Sequence, residues 1–497
     1  MRAHAYDRAV IRTTSGRFAQ GSAGPGPASS KAGVRLELLP EVASARAIDI
    51  AEPFRDLPGL ILLESARPGR NARWTYLTAD PVAVLDKPAA ATDPFADARE
   101  LLATIDRSAG ARVDDAPPFL GGLAGYLAYD LGHSLERLPT ISVDDQGLPV
   151  LRLALHDWVI AWDRRTGAAW LGGRAIDGDG ERLDRRLAEV RERVRRPRGA
   201  EPASEDVAEQ AGLLFRSILD RRQYEAGVEA VRSFVARGDI YQANLTRRLE
   251  TPFSDDPWPL YRRLRTGDPS LFSAYLDLGR APGAGSRAIL SASPEPFLAV
   301  DRAGAVKADP IKGTRRRGRT RDEDRALACE LLASGKDRAE NVMIVDVLRN
   351  DLGRVCRPGS VRVPRLCRLE RTASVQHLVS TVTGQLEPGR DAFDLLAASF
   401  PGGSITGAPK IRAMELLEGL EPVRRGPYTG ALGWFGPDGA MATSIIIRTF
   451  VADGARLSLH VGGGITYQSD PAAEWDETVA KARGPLAAIG GREVAAG

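Results

Sequence analysis

Tyr428-Thr-Gly-Ala-Leu-Gly-Trp-Phe435, Ala442-Thr-Ser-Ile-Ile-Ile-Arg-Thr-Phe-Val451 and Arg456-Leu-Ser-Leu-His-Val461 are three β-rich runs in quick succession, and Asp470-Pro-Ala-Ala-Glu-Trp-Asp-Glu-Thr-Val-Ala-Lys-Ala-Arg-Gly484 follows them. Hairpin-like spacing between runs of β-branched and aromatic residues predicts antiparallel strands. The last segment carries a helix signature, with Asp470 at the N-cap, Pro471 in the first position and Gly484 just past the end. Long helices set against hairpin-spaced strands argue for an α+β fold rather than repeated βαβ units.

The same grammar extends upstream. A helix over residues 221–238 leads into a strand at 240–249, with further strands at 287–291 and 297–301. A helix over 321–334 precedes a second one from about residue 337. Nearer the N-terminus, strand-like runs lie at 59–63, 82–85 and 156–162, around the glycine-rich segment Phe119-Leu-Gly-Gly-Leu-Ala-Gly-Tyr-Leu-Ala-Tyr-Asp130. Residues 181–210 begin as a helix, break at Pro197 and Pro202, and read as a charged surface connector. Residues 1–33 end in a Gly/Pro/Ser tract and read as a disordered extension. A chain of 497 residues is too long for one simple core. The expected division is an N-terminal lobe at 34–200 and a second lobe at 201–490.

Composition excludes several classes. Hydrophobic residues make up 43% and charged residues 27%, with a net charge of +3, an ordinary balance for a globular protein. The basic runs at 315–317 and 193–198 lack interleaved aromatics, so nucleic acid is not an expected partner. Cys329, Cys356 and Cys367 form no CxxC pair and no Cys/His cluster, which argues against zinc or a disulfide framework. No signal-peptide core and no membrane-length apolar run is visible, so a cytoplasmic protein is expected.

Chemistry concentrates at a few places. Only seven of the 68 basic residues are lysine, and one of them is Lys312 in Asp309-Pro-Ile-Lys-Gly-Thr314. An amine can lose its proton and attack carbon, whereas a guanidinium stays protonated. Asp337 and Glu340 share one helical face, as do Glu474, Glu477 and Lys481. Four converging carboxylates suit a hard cation such as Mg2+, although either pair alone could be a solvated surface. Gly402-Gly-Ser-Ile-Thr-Gly-Ala-Pro-Lys410 reads as a glycine-rich turn opening a helix, and Gly462-Gly-Gly464 as a second backbone nest for an anion.

Taken in order, Leu62-Leu-Glu-Ser65, Ile240-Tyr-Gln-Ala-Asn-Leu245, Ser293-Pro-Glu295, Pro310-Ile-Lys-Gly-Thr314, Asp337-Arg-Ala-Glu-Asn341, His377-Leu-Val-Ser-Thr381, Gly403-Ser-Ile-Thr-Gly-Ala-Pro-Lys410, Tyr428-Thr-Gly-Ala431, Ile447-Arg-Thr449 and Gly462-Gly-Gly-Ile465 resemble the chorismate-utilising enzymes, and within them the aminodeoxychorismate-forming branch. The likeness runs from about residue 35 to residue 490. It implies two stacked antiparallel sheets flanked by helices, as in anthranilate synthase component I, with the chorismate-binding catalytic region at 201–490.

By this resemblance Asp337, Glu340, Glu474 and Glu477 form a Mg2+ platform for the ring carboxylate of chorismate. Arg448, Tyr428 and Gly462, Gly463 and Gly464 match positions that hold the enolpyruvyl carboxylate, and Lys481 lies near the metal-bound one. Gln242 and Thr406 fall among the substrate-binding positions. Gln242 also fits an ammonia user, since water-activating relatives carry lysine there. Glu295 matches the general acid at the leaving hydroxyl, and His377 a histidine beside the ring. Lys312 matches a lysine thought to attack C2, where anthranilate-forming relatives usually carry alanine. Glu64 and Ser65 match a segment that binds tryptophan in feedback-inhibited relatives. No cysteine stands in the Gly-x-Cys-x-Gly turn of a glutaminase. Ammonia is therefore expected free or from a separate glutamine amidotransferase subunit. The alternatives are an anthranilate synthase component and a non-catalytic chorismate or tryptophan binder.

Overall fold

Gly122–Leu127 and Trp158–Asp163 are buried along their whole length. Strands of this kind belong in sheets covered on both faces. The computed structural model describes every residue except 1–9, 14–32, 68, 70, 71, 89–92, 108–114, 197–211, 282–284, 373, 374 and 495–497. Among the described residues the strands form two largely antiparallel sheets.

The 11-stranded sheet runs Val10–Thr13, Ala83–Lys87, Leu151–His156, Gly122–Leu127, Ala431–Phe435, Met441–Ile445, Pro296–Val300, Ala305–Ala308, Val375–Gln385, Ile311–Arg316, with Arg362–Arg371 also on Val375–Gln385. The 13-stranded sheet runs Val34–Leu38, Ala169–Arg174, Trp158–Asp163, Trp74–Thr78, Ile61–Glu64, Phe272–Arg280, Ser286–Ser293, Thr449–Asp453, Arg456–Ile465, Gln242–Pro252, Leu213–Ser217, Gly491–Val494, with Gly407–Ala408 beside Gln242–Pro252. Both sheets draw strands from both halves of the chain. Gly125 pairs with Gly433 in one, and Leu63 with Ala274 in the other.

The main core lies between the sheets, where Leu123, Leu153 and Trp434 of one meet Tyr76, Leu276 and Ile289 of the other. A second core lies under the helices Gly180–Arg195, Trp258–Gly267 and Pro471–Ala488. Gly180–Arg195 shows how such a helix is fixed. Leu183, Leu187, Val190 and Val194 form one buried stripe, and each such side chain stabilises the packing by about 1.5–3 kcal/mol. Among the described residues no helix is long and apolar enough to cross a membrane.

Several expected elements take another form. The run at 442–451 is two strands in different sheets, Met441–Ile445 and Thr449–Asp453, joined by a corner in which Arg448 has φ +51°. The glycine-rich segment at 119–130 supplies the buried strand Gly122–Leu127. A Cβ on Gly125 would stand 2.1 Å from the Arg152 carbonyl oxygen, so glycine permits the close strand approach. The last helix does not stop at Gly484. It continues through Pro485 to Ala488, because Ala482 and Leu486 are buried beneath it, and the left-handed glycine is Gly490. Within the expected disordered extension, Val10–Thr13 pairs with Ala83–Lys87. The connector beyond Arg196 lies outside the described residues.

Candidate active site

Lys312 lies on Ile311–Arg316, an edge strand of the 11-stranded sheet. Its register against Val375–Gln385 slips between Lys312 and Thr314, and Gly313 in that bulge has φ +75°. A bulge re-aims neighbouring side chains. Lys312 Nζ donates to the Ser404 carbonyl at 3.1 Å, while Thr314 Oγ1 meets His377 Nδ1 at 2.9 Å. Asn244 Nδ2 donates to the same Ser404 carbonyl at 2.7 Å.

Glu295 is buried and faces Lys312. Burial pushes its carboxyl above the usual range, against the opposing pull of Lys312, the Ser404 side chain and the Ile311 backbone. Burial likewise pushes the Lys312 amine below the usual lysine range, although Glu295, Glu340 and Glu477 pull it back up. Both groups are thus moved toward their uncharged forms. His377 is pushed down to about 4 by burial and by the Arg448 and Arg67 guanidiniums, so it is neutral near pH 7.

Two helices carry the acidic residues. Gly335–Gly353 starts on a Ser334 cap that accepts from the Asp337 N–H, and it holds Asp337 and Glu340. Pro471–Ala488 starts on Asp470, and its Glu474 accepts from Ser469 Oγ at 2.7 Å. A Cβ on Gly463 would lie 3.0 Å from Glu474 Oε2 and 3.7 Å from Glu477 Oε1, so glycine there lets the strand approach this helix. Burial pushes Glu340 and Glu474 up, and each feels Glu477 as a like charge. Glu477 is also pushed up by burial, but Lys481 at 2.7 Å leads the groups that bring it below the usual range.

Among the described residues no group of three or more His, Cys, Asp and Glu stands close enough to hold a metal ion. Asp337 pairs with Arg315 at 3.2 Å and Glu477 with Lys481. An all-carboxylate donor set, with Glu474 buried and Asp337 and Glu340 half-buried, still fits a hard cation. Binding one there would require Asp337 and Glu477 to leave those partners.

Gly462, Gly463 and Gly464 are not a turn. They lie inside Arg456–Ile465 and pair with Thr246, Leu245 and Asn244. The Thr246 N–H goes to Glu421 and the Asn244 N–H to the Thr406 carbonyl. By the alternation of an antiparallel ladder, Leu245 and Gly463 form the bonded pair, and Gly462 and Gly464 turn their backbone groups to the opposite edge. Pairing with Thr449–Asp453 has ended there, at Leu459. The edge is therefore open, and Lys481 Nζ donates to the Gly462 carbonyl at 2.9 Å. The expected nest is thus a strand end.

Gln242 is buried in the paired strand, with its Nε2 3.2 Å from Asn244 Oδ1 and its Oε1 without a hydrogen-bond partner among the described residues. Thr406 is buried, and its hydroxyl donates to the Gly402 carbonyl. Tyr428 is buried and stacked on His460, with ring centroids 4.9 Å apart. Glu64 and Ser65 stand apart from this cluster. They line a cavity of about 190 Å³ between the sheets, beside Trp74, Tyr76 and Trp434. The Glu64 carboxylate accepts from Tyr261 and Arg265 at 2.6–2.8 Å.

Sequence reasoning passed over Asn244, Lys336 and Asp268. Asn244 was within reach, since it lies two residues from Gln242 inside a recognised block. Lys336 precedes the acidic pair and supplies positive charge to Glu340, Glu474 and Glu477. Asp268 pairs with Arg448 across 180 residues, which no local pattern signals.

Comparison with known proteins matches residues 61–487 to the model for chorismate binding enzymes. Aminodeoxychorismate synthase component 1 of Bacillus subtilis is 36% identical over 435 residues, covering 85% of this chain and 90% of that one. Anthranilate synthase component 1 of Thermus thermophilus is 39% identical over 445 residues, covering 87% and 92%. The crystal structure of anthranilate synthase component I from Streptococcus pneumoniae superposes with a TM-score of 0.70 at 28% identity, covering 94% of this chain and 95% of that one. MenF, the menaquinone-specific isochorismate synthase from Escherichia coli, shares the fold with a TM-score of 0.67 at 18% identity, covering 92% and 94%. This chain belongs to the chorismate binding enzyme family and is a chorismate-utilising enzyme.

Proposed function

We propose that the chain converts chorismate and ammonia to 4-amino-4-deoxychorismate, a precursor of 4-aminobenzoate for folate or a secondary metabolite. The observation that carries this reading is that Lys312 and Glu295 lie within each other's electrostatic reach, each pushed toward its neutral form by burial. A neutral amine can attack C2 of the ring. The double bonds then shift, and the C4 hydroxyl departs as water with the proton that Glu295 supplies. Ammonia next attacks C4, and the bond between Lys312 and C2 breaks to return the free amine. The enolpyruvyl ether is untouched throughout. Arg448 and the open Gly462/Gly464 edge are suited to that group's carboxylate. Asp337, Glu340, Glu474 and Glu477 would hold Mg2+, which when bound supplies charge stabilisation at the ring carboxylate. His377, neutral near pH 7, is a hydrogen-bonding neighbour of the ring rather than a charge.

A second reading, anthranilate formation, is favoured by the 39% identity to the Thermus relative against 36% to the Bacillus one. Product analysis separates the two. Chorismate, Mg2+ and ammonium should give a product that an added aminodeoxychorismate lyase converts to 4-aminobenzoate. Lys312→Ala should abolish or strongly reduce this product while chorismate still binds. Fluorescent anthranilate with pyruvate release would establish the second reading instead. Near-normal turnover by Lys312→Ala would remove the nucleophile role.

A further inference from the structure

Arg448 occupies the corner between the two sheets, and its backbone is tightly held. Its carbonyl accepts from the Ala292 N–H at 3.1 Å, and Thr449 Oγ1 bonds Ser291 Oγ at 2.8 Å. The side chain is not held in this way. It is 45% exposed, and its one ion pair among the described residues is with Asp268 Oδ1 at 3.8 Å. That separation is too long for a hydrogen bond.

Asp268, by contrast, is on a rigid mount. Its N–H closes the helix Trp258–Gly267 on the Leu264 carbonyl at 2.8 Å, and Trp258, Leu260, Tyr261 and Leu264 bury that helix. The carboxylate backs onto the acidic helix, since a Cβ on Gly484 would lie 3.9 Å from Oδ2. Oδ2 itself is buried and has no hydrogen-bond partner among the described residues. Asp268 also feels a second guanidinium, Arg67, and the same two guanidiniums act on His377. A single fixed carboxylate thus stands beside two like charges that also reach His377.

We propose that Asp268 is a positioning residue for substrate binding: it aims the Arg448 guanidinium at the incoming carboxylate without satisfying its hydrogen bonds. The carboxylate of chorismate completes the two-pronged contact that the fixed Asp268 is too distant to make.

This inference rests on chorismate use and not on which amine product forms. The test follows chorismate consumption by the full chain with Mg2+ and ammonium. Asp268→Asn keeps the shape and removes the charge. It should raise KM for chorismate about tenfold while kcat stays within about twofold. In an Arg448→Ala background the same substitution should leave KM unchanged, because its effect passes through the arginine. Wild-type KM in Asp268→Asn, or an equal rise in the Arg448→Ala background, would overturn the assignment. A product other than aminodeoxychorismate, with the KM pattern intact, would overturn only the reaction proposed above.

Discussion

Lys312 and Glu295 hold, in the form that can react, one proton between them, and burial favours leaving it on the acid. If both are protonated, the amine cannot attack. If both are deprotonated, the hydroxyl has no acid to leave on. Activity should therefore follow a bell in pH when measured at a fixed concentration of un-ionised ammonia. On the acid side the Lys312 amine gains a proton, and on the alkaline side the Glu295 carboxyl loses one; with the carboxyl raised and the amine lowered, both limbs of the pair should lie between the usual carboxylate and lysine ranges. Limbs at the ordinary positions of exposed groups would show that the pair is not what limits the rate. At this scale the sequence was informative, since lysine scarcity narrows the choice to seven residues and the Pro310-Ile-Lys-Gly-Thr314 block picks out Lys312. The Asp268–Arg448 pair was not legible, because an ion pair between residues 180 apart leaves no trace in spacing.

The helices Gly335–Gly353 and Pro471–Ala488 bring Glu340 within electrostatic reach of Glu477, where single-helix spacing could predict only two separate faces; among the described residues the carboxylates are not yet close enough to share a metal ion. If they hold Mg2+, Glu340→Gln and Glu477→Gln should each lower its affinity in calorimetry by about 1.4 kcal/mol or more, a factor of ten. Fold stability should shift by no more than about 0.5 kcal/mol, as for a surface substitution. Unchanged Mg2+ affinity and activity in both variants would return the two pairs to ordinary surface charge. The start of Pro471–Ala488 was readable because Asp470 leaves a chemical signature at its cap, whereas Ser334, expected to end one helix, caps the next. The corner at Arg448 was not, because Ile445-Ile-Ile447 is uniformly apolar and nothing marks where one sheet gives way to the other. The same blindness affected Gly462–Gly464: glycine suits a turn, but it also suits a strand that must lie against a helix, and only the register decides.

At the scale of the whole molecule, hairpin spacing indicated antiparallel sheets, but it could not reveal that each sheet alternates between the two halves of the chain. Pairings such as Gly125 with Gly433 join residues whose separation has no preferred length. The α+β class and stacked sheets were legible from element order and from the family blocks together. The molecule built this way holds three cysteines. Cys356 and Cys367 are buried, and the exposed Cys329 lies within the helix Arg321–Ala333 and not in a nucleophile turn. No cysteine is therefore placed as a glutaminase nucleophile. Chorismate amination also needs un-ionised ammonia, which is scarce at neutral pH. A docked amidotransferase that delivers it through a protected path would raise its effective concentration at C4. The purified chain should thus work with high ammonium at pH of about 8–9, where more of the ammonia is free base, and should release no glutamate from glutamine. Adding a Gly-x-Cys-x-Gly amidotransferase should confer glutamine use without changing the product. Glutamate release coupled to amination by the single polypeptide, shown pure by mass spectrometry, would mean that the nucleophile lies in this chain after all.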